Sequence, residues 1–122
     1  MIDHINLPVL DLGRSRRFYT AVLAPLGLKF LLADGEAIGF GKSNWQFGLM
    51  PGKPPIPRVH VAFHANSHAA VDAFYQAALA AGATPNGEPG PRPQYDATYY
   101  AAFVLDPDGH NIEAVCHGQG TA

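Results

Sequence analysis

The chain repeats itself, and that repeat limits what it can fold into more than any other feature. Setting His4 under His60 aligns HINLPVLDLGRSRRFYTAVLA with HVAFHANSHAAVDAFYQAALA without a gap. The two histidines coincide, Ile5 meets Val61, and the FYxAxLA signature falls at Phe18–Ala24 and again at Phe74–Ala80. A duplicated supersecondary unit buries its apolar face against its twin, so the two copies are expected to fold together.

Each copy opens with a β-type run, Ile2 to Val9 and then Val59 to Ala65, followed by a helix. Asp11 is the expected N-cap of the first helix, and Asn66 or Ser67 that of the second. Helical apolar spacing follows at Phe18, Val22 and Leu26, and at Val71, Phe74, Ala78 and Leu79. Gly27 and Gly82 stand where a left-handed residue closes a helix. The rest of each copy reads as strands: Leu28 to Ala33, Ala37 to Phe40 and Trp45 to Met50, then Ala83 to Pro85, Tyr99 to Leu105 and Asn111 to Cys116. The DPDG run Asp106–Gly109 marks a turn. The expected organisation is one α+β domain over 1–122. It divides into a βαβββ unit over 1–50, a stiff proline-rich linker over 51–57 and a second βαβββ unit over 58–117. The Pro/Gly-rich segment Gly87–Pro93 is expected as a loop, either on the surface or over a pocket.

With 122 residues, 48% of them hydrophobic and 15% charged, the chain has material for one core. The net charge of −2 and the lack of a basic stripe argue against a nucleic-acid partner. Arg14, Arg16 and Arg17 cluster, but on a helix, where they read as a solvated face. The lone Cys116 forms no intrachain disulfide and no CxxC pair, which fits a reducing, cytoplasmic setting. No run has the length and apolarity of a membrane span or a signal peptide. No phosphate-binding glycine loop and no GxSxG nucleophile motif occurs.

Strand alternation then points to chemistry. The first strand presents His4, Asn6 and Pro8 on one face. Its repeat partner presents His60, Ala62 and His64, and the last strand Asn111, Glu113, Val115 and His117. His4, His60 and Glu113 would make a 2-His-1-carboxylate set suited to a divalent ion with open positions for substrate. A strand histidine can instead be a hydrogen-bonded structural residue. Glu113 stands out because Ile112, Ala114 and Val115 surround it, where a charge is costly unless paired or ligating. His64 is a candidate general base or merely a polar strand end. His117 and His110 read as structural and turn residues, and His68 as a solvated helix residue. Tyr95, Tyr99 and Tyr100 follow the loop, where a phenol could orient a substrate or pack at the rim.

HINLPVLDLxRSxxFY near the start and AFVLDPDGHNIEAV near the end resemble the vicinal-oxygen-chelate superfamily of glyoxalases, bleomycin-resistance proteins and extradiol dioxygenases. The resemblance covers nearly the whole chain. It implies two βαβββ units forming an open cup. It also implies metal ligands at His4, His60 and Glu113, an ion of the Fe, Mn, Zn or Ni kind, and a small substrate chelated through neighbouring oxygens. Glu113 and His64 are then the catalytic candidates, in a lyase, isomerase or dioxygenase. The chain departs from the four-ligand pattern, because Gly48 stands opposite Glu113 in the repeat. Gln46 lies on the same face but about 6.6 Å away along the strand, within reach only if the strand bulges. Classical glyoxalase I activity is therefore the least expected. The alternative is a metal-free protein that sequesters small molecules, with Trp45, Phe47 and the tyrosines Tyr95, Tyr99 and Tyr100 lining its pocket. The resemblance allows a cup within one chain or across two, and the open sheet edges favour a homodimer.

Overall fold

The computed structural model describes residues 1–118. Strand β1 (Ile5–Val9) leads into helix α1 (Leu12–Leu23) and a short 3-10 turn (Ala24–Leu26), then strands β2 (Lys29–Asp34), β3 (Ala37–Gly41) and β4 (Trp45–Pro51). The plan then recurs with β5 (His60–His64), α2 (His68–Ala80), β6 (Thr84–Pro85), β7 (Gly90–Pro91), β8 (Tyr100–Leu105) and β9 (Asn111–Cys116). One sheet runs β1-β4-β3-β2 and the other β5-β9-β8-β6, with β7 also pairing β8. In each, the first and last strands of the unit lie parallel and the rest antiparallel. The result is an α+β fold in which two curved sheets form an open cup.

The helix boundaries follow the expected chemistry. The Asp11 side chain accepts from the Arg14 N–H at 3.0 Å, and Ser67 does the same for Ala70, also at 3.0 Å. Each such cap is worth about 1 kcal/mol. Gly27 and Gly82 take φ of 81° and 93°, the left-handed region that ends a helix cheaply only at glycine.

Alternation decides which side chains meet the helices. Leu7 and Val9 of β1, Phe47 and Leu49 of β4, and Ile112, Ala114 and Cys116 of β9 are all buried in one continuous core with Phe18, Tyr19, Val22, Val71, Phe74 and Ala78. Phe47 joins the two halves, packing edge-on against Phe63 of β5 at 5.0 Å and tilted against Tyr19 at 4.9 Å. The opposite faces carry His4 and Asn6 on the first sheet and His60, His64 and Glu113 on the second. Arg14, Arg16 and Arg17 are exposed on α1, although the Arg16 guanidinium covers the Phe30 ring at 4.1 Å.

The DPDG turn does more than reverse the chain. Asp106 Oδ1 accepts from the backbone N–H of Asp108 and His110, both at 2.9 Å, and its Oδ2 accepts from the Tyr19 hydroxyl at 2.5 Å. Asp108 Oδ1 accepts from the Leu10 N–H at 3.1 Å, and Arg58 Nε donates to the Asp108 carbonyl at 2.8 Å. The turn before β9 is thereby tied to the start of α1. Burial first, and then the Asp106 carboxylate, raise the Tyr19 phenol well above the ordinary tyrosine range.

Candidate active site around Glu113

Glu113 sits mid-strand on the face of β9 away from the helices, yet it is only 1% exposed. Two side chains bury it. His60 Nε2 stands 2.9 Å from Glu113 Oε1, and the Tyr99 hydroxyl donates to Glu113 Oε2. The register explains the first contact. Ala62 lies opposite Glu113 and His60 opposite Asn111, so the imidazole reaches diagonally over a residue too small to block it. The second contact depends on the Gly87–Tyr99 segment, which runs beside β8 at the edge of the second sheet and turns back into it. Its short strand β7, expected from sequence as plain loop, pairs with β8 at Gly90–Ala101 and Pro91–Tyr100. Arg92 braces it, donating to the Glu88 carbonyl at 2.7 Å and the Gly90 carbonyl at 2.9 Å while its guanidinium lies 5.4 Å from the Phe103 ring centre. Phe103 pairs with Glu113 across β8 and β9 and forms the rest of its wall.

The Tyr99 phenol is pushed up to about 12, chiefly by desolvation and then by its hydrogen bond to Glu113. It therefore stays protonated through neutral pH and can only donate to that carboxylate.

The other residues singled out from the sequence separate. His4 is not beside His60 and Glu113. Its Nδ1 lies 2.7 Å from Asp3 Oδ1, and its ring stacks on Trp45 with centres 4.0 Å apart. Among the described residues, no three His, Cys, Asp or Glu side chains converge as a metal site. His64 is exposed on the His60 face. Both histidines border an open cleft of about 570 Å³ between β5 and the β1–β4 edge, which Asp3, Lys42 and Gln46 also line. Strand β4 does bulge, since Phe40 pairs with Phe47 and Gly41 with Trp45. The bulge does not bring Gln46 to Glu113, because Gln46 Oε1 accepts from the Lys42 N–H at 3.4 Å.

The tyrosine cluster divides as well. Tyr95 and His117 pack edge-on against Tyr99 at 5.1 and 5.2 Å. Tyr100 faces away, stacked on His68 at 3.9 Å and donating to Asp72 at 2.7 Å. His110 is structural: its Nδ1 accepts from the Val59 N–H at 3.1 Å. Sequence alone does not choose Tyr99 over its neighbouring tyrosines and gives no role to Asp3, Arg92 or Phe103. A tyrosine at the end of a Pro/Gly-rich loop that runs into the strand beside β9 was the available signal.

Comparison with known proteins agrees with this architecture. The model of the Glyoxalase/Bleomycin resistance protein/Dioxygenase superfamily matches residues 1–114. A glyoxalase/bleomycin resistance protein from Albidiferax ferrireducens is 31% identical, with a TM-score of 0.82 over 94% of this chain and 98% of its own. The uncharacterized protein YqjT of Bacillus subtilis is 31% identical over 93% of this chain and 97% of its own length. The fold is also shared with the fosfomycin resistance protein FosX of Listeria monocytogenes, solved with Mn(II) and 1S,2S-dihydroxypropylphosphonic acid. That structure is 22% identical, with a TM-score of 0.72 over 98% of this chain and 90% of its own. The chain therefore belongs to the glyoxalase/bleomycin resistance protein/dioxygenase superfamily.

Proposed function

We propose that this protein is a cytoplasmic, metal-dependent enzyme acting on a small substrate that presents two neighbouring oxygens. The observation that carries the reading is the buried Glu113 carboxylate with His60 Nε2 at 2.9 Å. Neighbouring ligands of a six-coordinate ion with bonds of about 2.1 Å stand about 3.0 Å apart, so this donor pair has the spacing a small divalent ion requires. An imidazole and a carboxylate suit Mn, Fe, Zn or Ni alike. The Mn(II) complex of FosX, on the same fold, adds support by analogy.

The third ligand is His4, supplied by a second copy of the chain in a homodimer. Support comes from the separation of His4 from the other two donors, from the unpaired outer edges of β1 and β5, and from exposed Ile2 and Leu10. A divalent ion held by these three residues would supply Lewis acidity to the two substrate oxygens. Glu113 needs its neighbours to do its part. Tyr99 anchors one carboxylate oxygen and Phe103 keeps water from its flank, so the other oxygen is held toward His60. His64, on the same face and bordering the cleft, would serve as the base that moves a proton on substrate carbon. With Gly48 opposite Glu113 in the repeat, a lyase, isomerase or dioxygenase using three protein ligands fits better than glyoxalase I.

A second reading is metal-free sequestration of an aromatic or apolar ligand. The observation that favours it is the open cleft of about 570 Å³, whose lining includes the apolar Ile5, Leu26, Leu28, Val59 and Val61. Thermal shift with and without EDTA separates the two. The enzyme reading expects Mn(II) to raise the melting temperature and EDTA to reverse it. Stabilisation by organic ligands alone, indifferent to chelator, would favour sequestration.

A further inference from the structure

Position 48, where the repeat leads one to look for a fourth ligand, is not an empty place. The bulge in β4 turns the Trp45 side chain onto the face of the first sheet that carries His4. There the indole rests on two glycines. A Cβ at Gly39 would stand 2.8 Å from Trp45 Cδ1, and one at Gly48 would stand 2.9 Å from Trp45 Nε1 and 2.2 Å from Asn6 Oδ1. Neither glycine has a positive φ, so space and not backbone conformation requires them. On the outer side of the indole lies the His4 imidazole, 4.0 Å away and inclined by 26°. Asp3 Oδ1 stands 2.7 Å from His4 Nδ1. Among the described residues His4 Nε2 has no hydrogen-bond partner, and the side chain is 39% exposed.

We propose that Trp45 and Asp3 are positioning residues for His4. The indole fixes the plane of the imidazole. The carboxylate accepts a hydrogen bond from Nδ1–H and so decides which nitrogen faces outward. An exposed Asp–His pair alone is worth little, but a ring already held against an aromatic face has lost most of the freedom that such a pair must overcome. A histidine whose Nδ1–H is bound to a carboxylate presents an unprotonated Nε2, the form that ligates a metal ion. Gly39 and Gly48 form the seat of the indole. Gly48 thus acts in the site through Trp45, although it has no side chain to ligate. This inference deepens the proposed function and rests on His4 being a ligand.

The test combines two readouts. Histidine-selective ¹⁵N NMR of the metal-free protein at about pH 8.5, above the usual imidazole titration, reads the tautomer and ring environment of His4. Titration with Mn(II) alone, followed by the EPR signal of the free ion, reads affinity. In the wild type, His4 is expected as the Nδ1–H tautomer with ring protons shifted upfield by the indole. Asp3→Asn should move it toward the Nε2–H tautomer, and Trp45→Leu should remove the upfield shift. Each should weaken Mn(II) binding by about 10- to 100-fold. Gly48→Glu, which adds a carboxylate but unseats the indole, should weaken binding rather than tighten it. Asp3 is 89% exposed, so Asp3→Asn keeps the fold even if Trp45→Leu does not. His4 signals unchanged by Asp3→Asn, or variants that bind Mn(II) as tightly as the wild type, overturn the inference alone. Wild type that binds no Mn(II) overturns it together with the proposed function.

Discussion

Tyr99 and Glu113 are joined by a hydrogen bond from phenol to carboxylate that links a Pro/Gly-rich loop to the middle of a central strand. The loop end thereby decides how the buried Glu113 carboxylate is oriented. Tyr99→Phe keeps the ring and removes the donor. It should cost about 1–2 kcal/mol of stability in urea unfolding and lower Mn(II) affinity by roughly tenfold. Unchanged affinity would show that Glu113 needs no second anchor.

In the proposed site His60 serves both structure and ligation. His60→Ala should abolish metal uptake. Because the imidazole is half exposed, the cost in stability should be modest, about 1 kcal/mol. Circular dichroism establishes that the variant is folded, and metal analysis then reads the loss. Retention of metal would remove His60 from the ligand set.

The Asp106–Asp108 turn should behave oppositely. Asp108→Ala strands the Leu10 N–H and removes the acceptor beside Ser15 and Arg14. It should cost about 1–3 kcal/mol while leaving Mn(II) affinity per folded chain unchanged. A selective loss of binding with full stability would mean that the turn belongs to the site.

Alkaline titration offers an independent check on the two tyrosine networks. Tyr100 is pushed up to about 12 by its hydrogen bond to Asp72 and by burial, Tyr99 to about the same value by burial and Glu113, and Tyr19 is also raised well above the ordinary range by burial and Asp106. Of the five tyrosines, these three should ionise late in ultraviolet titration. The folded state holds these protons where the unfolded chain has released them. The stabilisation is therefore complete below about pH 10 and is lost as pH rises through about 12. Tyr100→Phe should remove one late-titrating phenol. Five tyrosines titrating together near 10 would contradict the geometry.

The sequence made the repeat, the helix caps and β9 legible, because each rests on local chemistry or on a period. FYxAxLA recurs by simple alignment, Asp11 and Ser67 cap within three residues of themselves, and Asn111–Cys116 reads as alternating. What stayed hidden depends on residues far apart. Nothing local marks Asp106 and Asp108 as partners of Tyr19 and Leu10, which lie in the other copy. The bulge in β4 was raised only as a condition for Gln46, and it serves Trp45 instead. Choosing Tyr99 from among three tyrosines requires knowing how the loop pairs along the edge of β8. His60 and Glu113 were found by alternation, and their neighbourhood follows from the parallel register. His4 follows from the same rule, but alternation says which face a side chain takes, not how far it stands from the other candidates.

A shared site makes a further prediction. In the proposed homodimer, His4→Ala and Glu113→Gln would each destroy both sites. In a mixed dimer one site keeps His4 from one chain with His60 and Glu113 from the other. Mixing the two inactive variants under conditions of subunit exchange should restore about a quarter of the wild-type Mn(II) binding. No recovery, with exchange verified by mass spectrometry, would place the whole site within one chain.

The central claim is that His60 and Glu113 hold a divalent ion. Elemental analysis of freshly purified wild-type protein, repeated after stripping and reloading with Mn(II), tests it most directly. The account predicts close to one ion per chain, removed by EDTA, restored by Mn(II) and absent from His60→Ala. A wild-type protein that takes up no ion, before or after reloading, would contradict it.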